Sequence, residues 1–115
     1  MSDLSETRLL PLALAAVDDP AARLVLLDAL EESGWSSDRA HGAAVHRQMY
    51  QLPNEYYDAW DRGPGWSIVT DQLGWFRVGL TGLREERTMR RFAEAIVSVL
   101  RQIGEEPRRG EELRG

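Results

Sequence analysis

The stretch from Asp19 to Trp35 leaves this chain little choice but to build a helix with more than one neighbour. Asp19 is a good N-cap, because its carboxylate can accept a bond from an orphan backbone N–H one turn in. Pro20 falls at the first helical position, where a missing N–H costs nothing. Gly34 fits the left-handed position that closes a helix, and Trp35 can pack back on Leu30, as in a Schellman ending. Start and stop therefore agree. At about 100° per residue, Val25, Leu26, Leu27, Ala29 and Leu30 share one broad arc. Asp28, Glu31 and Glu32 lie opposite, with Leu24 among them. An apolar arc this wide predicts more than one packing partner. Arg23 falls inside it, so its stem is expected to pack while its head reaches water or a nearby acid.

Two further helices are expected around this one. Arg8 to Val17 reads as the first, beginning near Leu10 with Pro11 in its first turn or starting at Ser5 and bending at Pro11. Residues Met1 to Thr7 are polar and expected to fray. The short link at Asp18-Asp19 makes an antiparallel hairpin with the central helix. Ser36 or Ser37 can cap a third helix to about Leu52, with Ala40, Ala44, Val45, Met49 and Leu52 as a weak stripe interrupted by Gly42. Pro53 ends it. Residues 8–52 thus read as a three-helix unit.

Leu9-Leu10, the turn at Asp18 to Pro20, Arg23-Leu24-Val25, Asp28, Leu30-Glu31-Glu32 and Gly34 resemble the repeat-companion domain. That is a short helical module of unknown biochemical role, often found near the N-terminus of longer proteins with repeat regions. The resemblance covers roughly residues 8–50. It departs at Ala29, where the family usually has Trp, and after Gly34. It implies a helical fold and no catalytic residues.

From Asn54 the character changes. Asn54 to Asp61 reads as a short helix, closed by the Gly63-Pro64-Gly65 turn. Over Trp66 to Leu80 two patterns compete. β-Branched and aromatic residues around a glycine suggest a hairpin turning near Gln72 to Gly74, with Phe76, Val78 and Leu80 on one face. Val69, Leu73, Phe76, Leu80 and Leu83 also fit a helical repeat, against which glycines 74, 79 and 82 count at about 1 kcal/mol each. We take the hairpin. A last helix runs from about Leu83 or Thr88 to Ile103, with Met89, Phe92, Ala93, Ile96, Val99, Leu100 and Ile103 as its stripe and Gly104 as its stop. The charged tail, 105–115, reads as disordered. The expected fold is a single α+β, helix-dominated domain over 1–104: the three-helix unit, an aromatic-rich segment at 54–80 with its hairpin, and the C-terminal helix at 83–103. An all-α fold is the alternative.

Composition narrows the function. The 115 residues are near the common size of one domain. There are no cysteines, which removes disulfides and thiolate chemistry and fits a reducing, cytoplasmic setting. All 14 basic residues are arginine, so no lysine is available for Schiff-base or general-base work. The net charge of −5 disfavours general nucleic-acid binding. No apolar run approaches the roughly 20 residues of a membrane span, and no signal-peptide pattern precedes the first helix. His41 and His46 lie about 140° apart around a helix and cannot jointly clasp a metal; they read as two partly exposed histidines. No nucleophile elbow or phosphate-cradling glycine loop occurs. No enzyme, metal or cofactor reading results.

Seven of the nine aromatic residues lie between Tyr50 and Phe76. They can knit a second half-core or form a docking patch, since Trp, Tyr and Arg dominate interface energetics. The candidate partner-binding residues are Tyr56, Tyr57, Trp60, Arg62, Trp66, Trp75 and Arg77. The favoured reading is a non-catalytic protein–protein interaction or adaptor subunit. One alternative is an antitoxin- or inhibitor-like partner presenting Asp28, Glu31 and Glu32 to a basic target. The other is a nucleic-acid binder using Arg84, Arg87 and Arg91, which share a face; Glu85 and Glu86 interleave with them and favour intrahelical pairing. A helix-turn-helix there requires the 66–80 region to be helical.

Overall fold

The computed structural model describes residues 2–62, 72–82 and 85–104. Among them are six α-helices and no strand: α1 (Ser2–Ala16), α2 (Pro20–Glu32), α3 (Arg39–Tyr50), α4 (Asn54–Arg62), α5 (Gln72–Thr81) and α6 (Glu86–Val99). A 3-10 turn at Trp35–Ser37 precedes α3, and a π turn at Leu100–Gly104 extends α6.

Helix α2 begins as its sequence dictates. The Asp19 carboxylate accepts the Ala21 N–H at 3.0 Å, with Pro20 at the first position. Gly34 takes the left-handed conformation, φ 78°, and donates its N–H to the Glu31 carbonyl. The second Schellman bond is replaced by a relay. The Trp35 N–H donates to the Ser33 hydroxyl, and that hydroxyl donates to the Leu30 carbonyl, each at 3.3 Å. Trp35 still joins Leu30 in the core.

The buried face of α2 is Arg23, Leu26, Leu27 and Leu30. Arg23 lies at its middle and Val25 outside it, a rotation from the arc expected for this helix. Helix α1 continues back to Ser2, through residues expected to fray, with Pro11 inside it. Pro11 lies on the exposed side, where its ring meets solvent. Helix α3 is capped by Asp38 rather than Ser36 or Ser37: its carboxylate accepts the Ala40 N–H at 2.8 Å, while Trp35–Ser37 is spent on the 3-10 turn.

The expected α+β fold is not what forms: α5 is helical where the second strand of the hairpin was expected. Phe76 and Leu80, four apart, are buried on one helical side, whereas Val78 between them is 42% exposed. A strand would put all three on one face. Gly79 was counted against a helix, yet it is what lets α5 lie on α6. A methyl group there would clash with the Phe92 ring, well within van der Waals contact. The expected first strand, 66–70, and the Gly63-Pro64-Gly65 turn lie outside the described residues, as does the tail at 105–115.

Helix α6 is the axis. Phe92, Ala93, Ala95, Ile96, Val97, Val99 and Leu100 are all buried, which covers most of its circumference. It packs against α1, α3 and α5, while α2 packs on α1 and α5. Helix α3 rests on α6 and α4, so the first three helices complete their cores through the last one.

Candidate functional site

Helices α3, α4 and α5 bring their aromatic residues together around one histidine. His46 lies on α3 and is buried. Its ring contacts Tyr50 at 4.7 Å, Trp75 at 5.1 Å, Tyr56 at 5.2 Å, Trp60 at 5.4 Å and Tyr57 at 5.8 Å between centroids. Tyr56 stacks on it nearly parallel, and Trp60 and Tyr57 meet it edge-on. These offset-stacked and T-shaped geometries suit aromatic quadrupoles. The box continues inward through Trp75, Phe76 and Phe92, which pack edge to face at 4.8–5.5 Å.

Two polar contacts lock the corner between α3 and α4. His46 Nδ1 lies 3.2 Å from the Tyr57 hydroxyl, and that oxygen also accepts the Leu52 N–H at 3.4 Å. The Tyr57 hydroxyl thus bridges the His46 ring and the backbone at the end of α3. Burial pushes the His46 pKa below its ordinary value, so the ring is neutral at pH 7. Gln51 closes α3 in the left-handed region, φ 54°, and donates its N–H to Arg47 O at 2.8 Å. The Arg47 guanidinium covers the Tyr57 ring at 4.5 Å, an arrangement that favours a cation over a π face.

The residues proposed from sequence fall into different places. Tyr57 and Trp60 are buried, so they hold α4 on its neighbours. Tyr56 and Trp75 are half-buried. Arg77 is exposed on α5 and pairs with Glu31 at 2.6 Å, tying α5 to α2. The Arg62 side chain and Trp66 lie outside the described residues. The aromatic cluster reaches the surface instead at Tyr50, 46% exposed, and Leu52, 38% exposed, beside exposed Arg47. The His46–Tyr50 spacing of four along α3 was the signal in the sequence for this contact. His46 itself was expected to be partly exposed; it is buried because α4 and α5 both close over it.

The other histidine also has a structural setting. His41 stacks on Trp35 at 4.3 Å, with Nδ1 3.0 Å from the Trp35 carbonyl. Among the described residues no three His, Asp or Glu side chains converge as metal ligands. The buried Trp60 indole N–H and Gln72 amide nitrogen have no hydrogen-bond partner among the described residues. Both border Gly42, where an added methyl would lie 2.7 Å from Gln72 Cγ.

Two arginines of the cluster make tertiary contacts, and the Arg90 charge also acts on Glu86 four residues before it on the same helix. Arg90 pairs with Asp18 at 2.7 Å. Arg91 donates to the Met49 carbonyl near the end of α3, at 3.4 Å. Arg87 is exposed, and Arg84 lies outside the described residues. The helical state of 72–81 meets one requirement of a helix-turn-helix. Yet α6 opens with Glu85 and Glu86, acids where a phosphate would have to approach. A depression of about 160 Å³ between α3 and α6 is lined by Gln48, Met49, Arg91, Glu94 and Ala95.

No helix among the described residues is long and apolar enough to cross a membrane. No family model, curated protein or solved structure matches this chain.

Proposed function

We propose that this protein is a non-catalytic interaction or adaptor subunit that docks another protein through its α3–α4 corner, with Tyr50 and Leu52 at the centre. The observation that carries this reading is the emergence of a packed aromatic cluster at the surface as an exposed tyrosine and leucine beside an arginine. Tyr and Arg are enriched among residues that dominate binding energy. Tyr50 rests against the His46 ring, which is itself held by Tyr57. A side chain supported in this way loses little rotamer freedom on docking, which favours affinity. The absence of cysteine accords with a cytoplasmic role.

The test pairs a surface variant with a core variant. Tyr50→Ala/Leu52→Ser is expected to keep its melting temperature within about 2 °C, while recovery of a co-purifying protein from the native source falls by roughly tenfold or more. Trp60→Ala is expected to lower the unfolding free energy by the roughly 3–5 kcal/mol typical of a buried aromatic, and the melting temperature with it. Undiminished recovery with a folded Tyr50→Ala/Leu52→Ser variant would remove the corner as the docking site.

A further inference from the structure

The outward face of α2 is divided in two. Ala21, Leu24 and Val25 make its N-terminal half, and Asp28 and Glu32 its C-terminal half; all five are exposed at positions i, i+3, i+4, i+7 and i+11. Leu24 is 57% and Val25 52% exposed, more than any other large apolar residue described. Leu14, on the neighbouring α1, is also exposed. An adjacent apolar pair on a helix whose opposite side already fills the core is surplus to folding.

Among the described residues, the charge left unpaired around this face is negative. Asp18 and Asp19 border its start, and Glu31 lies beside Glu32 at its end. The arginines that approach from α5 and α6 are already used: Arg77 pairs with Glu31 and Arg90 with Asp18. Arg23 points inward and is 1% exposed. The last turn of α2 carries no basic residue. Glu31 and Glu32 thus stand in the last turn, at the negative end of the helix dipole where like charge is unfavourable, with Asp28 one turn before Glu32. Folding would be better served by the opposite sign, and an incoming cation would relieve the conflict.

We propose that the outer face of α2 docks a basic amphipathic helix of a partner protein. Apolar side chains of that helix would cover Leu24 and Val25, and its arginines or lysines would meet Asp28 and Glu32. A second copy of this chain is the poorer occupant, because it brings the same acids and a net charge of −5 to the contact. This surface is separate from the α3–α4 corner, and its test does not depend on that reading.

The experiment uses the isotope-labelled full chain and a synthetic Leu/Lys peptide, apolar at i, i+3, i+4 and i+7, with a scrambled peptide of the same composition. Amide shifts are expected to centre on Ala21, Leu24, Val25, Asp28 and Glu32. Leu24→Ser/Val25→Ser should weaken binding roughly tenfold or more. Asp28→Asn/Glu32→Gln should weaken it and reduce its salt dependence, yet raise the melting temperature of the free protein. That opposition between binding and stability is the signature of acids kept for a partner. Shifts centred elsewhere, equal binding of the scrambled peptide, or full binding by Leu24→Ser/Val25→Ser would overturn the proposal. So would a concentration-dependent dimer that Leu24→Ser/Val25→Ser abolishes, since a second copy would then be the occupant.

Discussion

Arg23 joins its own helix to the end of α1 and to the distant start of α6. Its Nε donates to the Ala16 carbonyl at 2.7 Å and one terminal nitrogen to the Val17 carbonyl at 2.8 Å, so it caps the end of α1. The same guanidinium holds both Glu86 oxygens, at 2.9 and 2.7 Å, at the first position of α6. The fork geometry allows this; an ammonium offers no planar pair of donors. The hydrogen bonds from Arg23 hold the Glu86 carboxyl below its usual range, and Glu86 in turn raises the Arg23 pKa. Arg23→Met should therefore lower the unfolding free energy by about 1–3 kcal/mol, since two helix-end carbonyls lose their partner. Glu86→Gln should cost less, because those carbonyl bonds survive. Urea denaturation of both variants gives the order, and a larger loss for Glu86→Gln would contradict it. The sequence placed Arg23 in the apolar arc and allowed it an acidic partner. The partner, 63 residues away, had no local signal.

His46 adds a second residue-scale expectation. Its pKa is lowered by burial, so between its folded value and about 6.5 the unfolded chain binds the proton and the folded chain resists it. Stability is full above pH 6.5 and falls as the pH drops through that window. The Glu86 contribution behaves likewise in a lower window: it is present above the ordinary carboxylate range and lost as pH falls through the depressed value. Unfolding measured from pH 7.5 to 5 should slope for the native chain and flatten for His46→Phe. Equal slopes would mean that the ring box does not resist protonation.

Among the elements, α5 teaches most about what a sequence hides. Leu73, Phe76 and Leu80 have helical spacing, while Trp75, Phe76 and Val78 have strand propensity. The balance turned on these propensities and on glycines 74, 79 and 82, each read as a cost to the helix. Gly79 admits the Phe92 ring of α6, a contact from a distant element that no local pattern contains. Gly79→Ala would gain about 1 kcal/mol of helix propensity, but the clash with Phe92 should outweigh it, at about 1–3 kcal/mol for overpacking. Thermal unfolding should show a lower melting temperature, and a rise would mean that α5 and α6 are not in close contact. By contrast, α2 was legible because Asp19, Pro20 and Gly34 fix its ends locally, and α6 because its apolar stripe keeps one period throughout. The start of α3 was missed because Trp35–Ser37 forms a 3-10 turn, leaving Asp38 as the first residue free to cap.

At the scale of the molecule, α6 serves as the common wall, and arginines fasten helix ends around it. Arg23 caps α1, Arg91 reaches the end of α3, and Arg39 donates to the Trp60 carbonyl of α4 at 3.0 Å. Of the residues that the sequence left open to nucleic acid, Arg91 is used in this way and Arg87 is exposed. The aromatic residues divide in the same way. Trp60, Tyr57, Phe76 and Phe92 are interior, and Tyr50 is left at the rim. Concentration along the chain identified the cluster but could not separate its two sides, because exposure is decided by α4 and α5 folding over α3. The docking reading stands on that division. Its most direct test places a photo-crosslinking phenylalanine derivative at position 50 in the full chain and irradiates it in the native source. We expect one protein to be captured at position 50, and its yield to collapse when Leu52→Ser is added. Failure to capture anything at position 50, or capture unaffected by Leu52→Ser, would contradict the account.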